Sequence, residues 1–175
     1  MRAFLIVQHT PAWVFVLLAL LVWLGIQAMM TRQVRVQRIF ITPAIFITWG
    51  LLRLARANGF APELLLDWLG GLLMGAAVGA LTARVAGMRV DRARGRVELA
   101  GDWMPLVRNL TIFLAKYSIA VAVATQVAAK ADLAMWDYAI SGAASGYFIG
   151  WLIRFVSAYR TAPELPVAPA AAVGA

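Results

Sequence analysis

Five runs of roughly 20 apolar residues, separated by short charged segments, leave this chain few ways to fold. They lie at about 11–30, 39–57, 62–84, 104–129 and 134–157. A helix of that length crosses a hydrocarbon core of roughly 30 Å while satisfying its own backbone polar groups. With 63% of its 175 residues hydrophobic and 14% charged, the composition is that of an integral membrane protein. The expected class is all-α: a bundle of five transmembrane helices forming one domain over residues 1–160, with the bilayer as its first partner.

The net charge of +8 would suggest nucleic acid in a soluble chain, but here the arginines gather in the connections, so no nucleic acid partner is expected. Arg32, Arg35 and Arg38 follow the first span, Arg84, Arg89, Arg92, Arg94 and Arg96 follow the third, and Arg154 and Arg160 close the fifth. The opposite side holds Arg2, Arg53, Arg56 and Lys130, accompanied by Glu63, Asp67 and Asp132. By the positive-inside rule the N-terminus faces out and the C-terminus faces the cytoplasm. The first span is not a secretory signal, because its basic residues follow the apolar run and the run is too long. Thr10 is expected as its N-cap and Pro11 as its first helical residue. The tail 161–175, rich in Pro and Ala, is expected to be disordered.

The third connection alternates. Met88, Val90, Val97 and Leu99 are apolar with charges between them, which predicts a short cytoplasmic β-hairpin over 88–99. Folding it about a turn from Arg92 to Gly95, with Gly95 supplying a positive φ, places Arg89 opposite Glu98 and Asp91 opposite Arg96. Such a hairpin would either cap the bundle or present Arg92, Arg94 and Arg96 to anionic lipid or a partner; a solvated connector is the plainer alternative.

Spans two and three echo spans four and five. Pro43 and Arg53 answer Pro105 and Lys116, and Gly71, Gly75 and Gly79 answer Gly142, Gly146 and Gly150. Glycine at every fourth position lets apolar helices approach closely, so both stripes are expected at helix–helix or subunit contacts.

Charges inside the spans need partners. Residues equidistant from a connecting turn lie at equal depth, which predicts ion pairs of Arg53 with Asp67 and Arg56 with Glu63, and a polar pair of Gln126 with Asp137. About a turn near residues 131–132, Lys116 matches Tyr147, with Ser145 close by. Lys116 is too deep to reach water along its stem, so an interior polar site of Lys116, Tyr147, Ser145 and Asn109 is expected. A polar stripe on one face of span four and a small-residue seam on the other predict a buried position for that helix. The alternative is that Lys116 only fixes helix packing by hydrogen bonds.

There is no cysteine, and His9 is the single histidine, so no cofactor or metal site is expected. The two aspartates Asp67 and Asp137 have ion-pair partners that account for them better than an aspartyl dyad would, and no catalytic constellation is seen. Trp13, Trp68, Trp103 and Trp136 lie near expected interfaces, as belt residues do.

The stretches HTPAWVFVLLALLVWLG, DWMPLVRNLTIFLAKY and SGAASGYFIGWLIR together resemble an uncharacterised family of small bacterial multi-pass integral membrane proteins, a domain of unknown function. The resemblance implies a bacterial inner-membrane address and no particular activity. Two roles follow from the residues: a small-solute or ion transport component built around Lys116, or a non-enzymatic scaffold or assembly factor holding a partner or anionic lipid through its basic hairpin. The glycine stripes would equally serve a homo-oligomer.

Overall fold

The structure is a computed structural model that describes residues 10–56, 61–127 and 129–165. Among the described residues five helices and three strands follow in the order α1 (Ala12–Ala28), β1 (Arg32–Arg35), α2 (Val36–Arg56), α3 (Pro62–Thr82), β2 (Arg89–Asp91), β3 (Arg96–Leu99), α4 (Met104–Thr125) and α5 (Lys130–Thr161). Among the described residues, α2, α3, α4 and most of α5 are long and apolar enough to cross a membrane. Their outward surfaces agree: Leu73, Met74 and Leu81 of α3 are 70%, 70% and 85% exposed, a density of bare apolar side chains that water disfavours and lipid accepts. The 17-residue α1 is apolar but at the lower limit for a span.

Proline and acid mark the helix starts. Pro62 and Pro105 occupy first-turn positions where a missing N–H costs nothing, and the Asp102 carboxylate accepts the Met104 N–H at 3.1 Å. Helix α1 starts one residue later than expected, with Pro11 in the cap position. Thr10, expected to cap it, lies 2.7 Å from the Tyr117 hydroxyl and ties α1 to α4. His9, the turn around residues 59–60 and the tail beyond residue 165 lie outside the described residues.

Helix α5 is the hub, packing against α2, α3 and α4, while α1 lies along α4. The two glycine stripes meet each other. A Cβ at Gly71, Gly75 or Gly79 would fall on the carbonyl oxygens of Ala139, Ala143 and Tyr147, and one at Gly142, Gly146 or Gly150 on those of Trp68, Leu72 and Ala76. Both helices therefore run in the same direction with their backbones in direct contact, which only glycine permits. Helix α4, expected to be buried, has no buried residue: its small-residue seam includes Thr111 and Ser118, both exposed, and α5 holds the interior instead. Trp68, expected in an interfacial belt, is only 5% exposed and packs with Leu54 and Tyr138.

At 32 residues α5 is roughly 48 Å long, more than a bilayer core needs, and its excess supports the sheet. The hairpin has the expected register, with Arg89 opposite Glu98 and Asp91 opposite Arg96, and Gly95 turns at φ +58°. Its apolar face, Met88, Val90 and Val97, closes over Phe155, so the hairpin caps the bundle. Two features were not expected. The basic segment Arg32–Arg35 is a strand, pairing antiparallel with β3 to give the order β1-β3-β2. The tail, expected to be disordered from residue 161, instead continues along β2: Val90 N–H donates to Pro163 O at 3.0 Å and Leu165 N–H donates to Val90 O at 2.7 Å. An open strand edge leaves backbone groups unpaired, and residues 163–165 satisfy those of Val90.

Candidate functional site

Polar groups collect at two places. The first lies toward the end of the bundle away from the sheet, where the last turn of α2 and the second and third turns of α5 meet α4. The Lys116 ammonium donates to Asp137 Oδ1 at 2.6 Å, to the Asp137 carbonyl at 2.8 Å and to Ser141 Oγ at 2.6 Å. The other Asp137 oxygen takes Arg53 from α2 at 2.7 Å. One carboxylate thus joins three helices, and the Arg53 guanidinium also lies over the Tyr138 ring.

This differs from the expected partners for a geometric reason. With α4 ending at Thr125 and α5 starting at Lys130, the middle of the connection falls near residues 127–128 rather than 131–132. A shift of about four residues in the turn moves the opposite residue by twice as many, so Lys116 meets Asp137 and Ser141 instead of Tyr147 and Ser145. Ser145 is fully buried and donates to Phe46 O and Ser141 O, both at 3.1 Å, linking α2 to α5. Tyr147 accepts from Thr82 at 3.2 Å, and Asn109 donates to Leu21 O at 3.4 Å; both lie toward the sheet. Gln126, expected beside Asp137, is instead the left-handed C-cap of α4 at φ 55°. Among the described residues Arg53 does not pair with Asp67, nor Arg56 with Glu63. Equal depth sets height but not direction: Leu54 occupies the face of α2 toward α3, and Arg53, about 100° around the helix, reaches α5.

The second place is a recess of about 220 Å³ at the sheet-bearing end, walled by Arg32, Arg38, Arg84 and Arg108 with Asp102 the single carboxylate in its lining. Strand β1 brings Arg32, the first turn of α2 brings Arg38, the segment after α3 brings Arg84, and α4 brings Arg108. Arg84 sits 3.9 Å from Asp102 and over the Trp103 ring. Arg108 is half-buried; its guanidinium lies 4.5 Å from the Phe148 ring centre and 5.4 Å from that of Tyr147, and it donates to Asn109 Oδ1 at 3.1 Å. Among the described residues Arg32, Arg38 and Arg108 have no carboxylate within ion-pair distance. Four guanidinium groups against one carboxylate make an uncompensated positive site suited to oxyanions such as carboxylate or phosphate.

The arginines of the hairpin are placed differently. Arg92, expected to face lipid or a partner, binds Glu164 at 2.6 Å and donates to the carbonyls of Tyr159 and Ala162, both at 3.1 Å, closing the C-terminus of α5. Arg94 pairs with Asp91 at 3.6 Å, and Arg96 remains exposed. The recess was not foreseen because its arginines come from four separate segments that only the sheet gathers. The usable signal was Arg108, a cation one turn inside an apolar span. No group of three or more metal-binding side chains occurs among the described residues.

Comparison with curated proteins and with solved structures finds no match. A family model does match, over residues 2–164, so almost the whole described structure falls within it. The chain belongs to the family of unknown function DUF6622.

Proposed function

We propose that this protein is a non-enzymatic, anion-binding component of the bacterial inner membrane, with all five helices spanning and the arginine recess at the cytoplasmic face. The observation that carries the reading is the recess itself, where four arginines converge on about 220 Å³ beside one aspartate. Clustering like charges is unfavourable unless a ligand neutralises them, and a low-dielectric wall such as Phe148 and Trp151 strengthens that attraction. The orientation is supported by the basic first and third connections meeting in one sheet, against Glu63 and Asp132 at the other end. The Lys116 ammonium already has three acceptors, which supports a packing role for it and moves the binding function to the recess.

The test is thermal stabilisation of the purified protein by inorganic phosphate and glycerol phosphate at constant ionic strength. Stabilisation that disappears in Arg32→Gln/Arg38→Gln is expected; an equal response in that variant contradicts the reading.

A transport role centred on Lys116 is a second reading, favoured by one feature: Asp137 is shared between two cations from different helices and can exchange partners if they move. Lys116→Met would then abolish solute-dependent growth while the protein still accumulates, whereas a packing lysine would tolerate the change.

A further inference from the structure

A second hollow adjoins the recess. It is a groove of about 320 Å³ between α3, α4 and α5, lined by apolar side chains such as Val78, Val107, Ile112 and Ala144. Arg108 lines both the groove and the recess, its guanidinium resting against Phe148 on the recess side and Tyr147 on the groove side. Along α4 the groove runs from Met104 to Ala115, roughly 16 Å of helix rise into the apolar span.

From this junction we infer that the ligand is an anionic glycerophospholipid, its phosphodiester held by the recess arginines and one acyl chain lying in the groove. The inference rests on the anion-binding reading above and narrows it. A soluble phosphate would use the recess and leave the groove empty; a zwitterionic lipid would fill the groove but bring its own cation to the arginines. A single molecule with a net-negative head and an apolar chain satisfies both halves, because uncompensated guanidinium groups and a contiguous apolar trough meet at one residue. Arg32 and Arg38, which have no carboxylate partner among the described residues, are the groups free to take the phosphate oxygens.

The experiment is native mass spectrometry of the full chain, delipidated in detergent and titrated with dioleoyl phosphatidylglycerol, dioleoyl phosphatidylcholine or glycerol phosphate. The wild type should prefer phosphatidylglycerol over phosphatidylcholine by about tenfold or more, as expected for two interfacial arginines. Arg32→Gln/Arg38→Gln should lose the preference and Arg32→Lys/Arg38→Lys should recover most of it. Thr111→Trp, which fills the groove from an exposed position on α4, should weaken phosphatidylglycerol while leaving glycerol phosphate unchanged. Should glycerol phosphate bind as tightly as the lipid and Thr111→Trp change nothing, the lipid is overturned and the anion site stands. A preference for phosphatidylglycerol that survives the glutamine pair overturns the assignment of the headgroup to this recess. Absence of any anion preference removes both readings.

Discussion

Removing the charge of Asp137 should cost far more than removing that of Lys116, although the two touch. In Asp137→Asn two cations, Lys116 and Arg53, lose their shared counter-charge. Breaking a buried pair from one side costs about 3–5 kcal/mol, because the remaining charge stays desolvated. Asp137 is 17% exposed and Arg53 42%, so Arg53 recovers part of its solvation and the expected loss falls to about 2–4 kcal/mol. Lys116→Met behaves differently. It gives up three hydrogen bonds, but it also removes an ammonium held among apolar helices, where a lysine costs up to about 2.5–3.5 kcal/mol, and it leaves Asp137 paired with Arg53. The net change should lie within about 1 kcal/mol. The double variant Lys116→Met/Asp137→Asn should therefore be more stable than Asp137→Asn alone, a coupling that a double-mutant cycle isolates. Unfolding by sodium dodecyl sulfate in mixed micelles, followed by far-UV ellipticity, measures all four proteins. Equal losses for the two single variants, or no loss for Asp137→Asn, would refute the three-helix junction.

Other perturbations address the remaining contacts. Gly146→Val places side-chain atoms against the Leu72 carbonyl and should separate α3 from α5; a loss of about 3 kcal/mol or more is expected in the same unfolding assay, since overpacking here meets backbone rather than a movable side chain. Gln126→Gly relieves a left-handed cap and should stabilise by about 0.5–1 kcal/mol. Arg92→Ala removes the clasp on the end of α5 at an exposed site, so stability should fall by only about 1 kcal/mol while hydrogen exchange of the Leu165 amide, bonded to Val90, rises clearly. Because the chain has no cysteine, single cysteines report topology cleanly: Ala93→Cys in the hairpin turn should resist a membrane-impermeant thiol reagent in intact cells, and Ala129→Cys between α4 and α5 should react.

Local pattern carried much of the architecture. Hydropathy located the five described helices to within about four residues, and strand alternation with a glycine turn specified the hairpin down to its cross-strand partners. Both signals are local: the residues that decide them lie within one helix or one hairpin. What depended on distant segments was less legible. RQVR has only one apolar residue, Val34, so nothing in it announces a strand until β3 offers an edge. Residues 163–165 follow two residues after α5 and pair for the same reason.

The polar sites divide along the same line. That Lys116 needed acceptors from neighbouring helices followed from the cost of a bare ammonium among apolar helices, but which acceptors depended on helix ends, and an error of four residues at each end exchanged Tyr147 for Asp137. The pairing of Arg53 depended on which neighbour meets its face of α2: the pattern of this amphipathic helix marks a polar side but does not say whether α3 or α5 lies against it. The echo between the two hairpins did carry information: Arg53 and Lys116 occupy corresponding places, and both converge on Asp137, whereas Asp67, the counterpart of Asp137, forms no ion pair among the described residues. The arginine recess required the sheet, the helix ends and the loop after α3 to be assembled together.

The most direct measurement of the central claim is the position of a heavy oxyanion. Crystals of the delipidated protein soaked in tungstate should give an anomalous difference peak within hydrogen-bonding reach of Arg38 and Arg108, in the recess beneath the sheet. An empty recess, with tungstate bound only by the exposed Arg35 and Arg96 on the opposite face of the sheet, would contradict it.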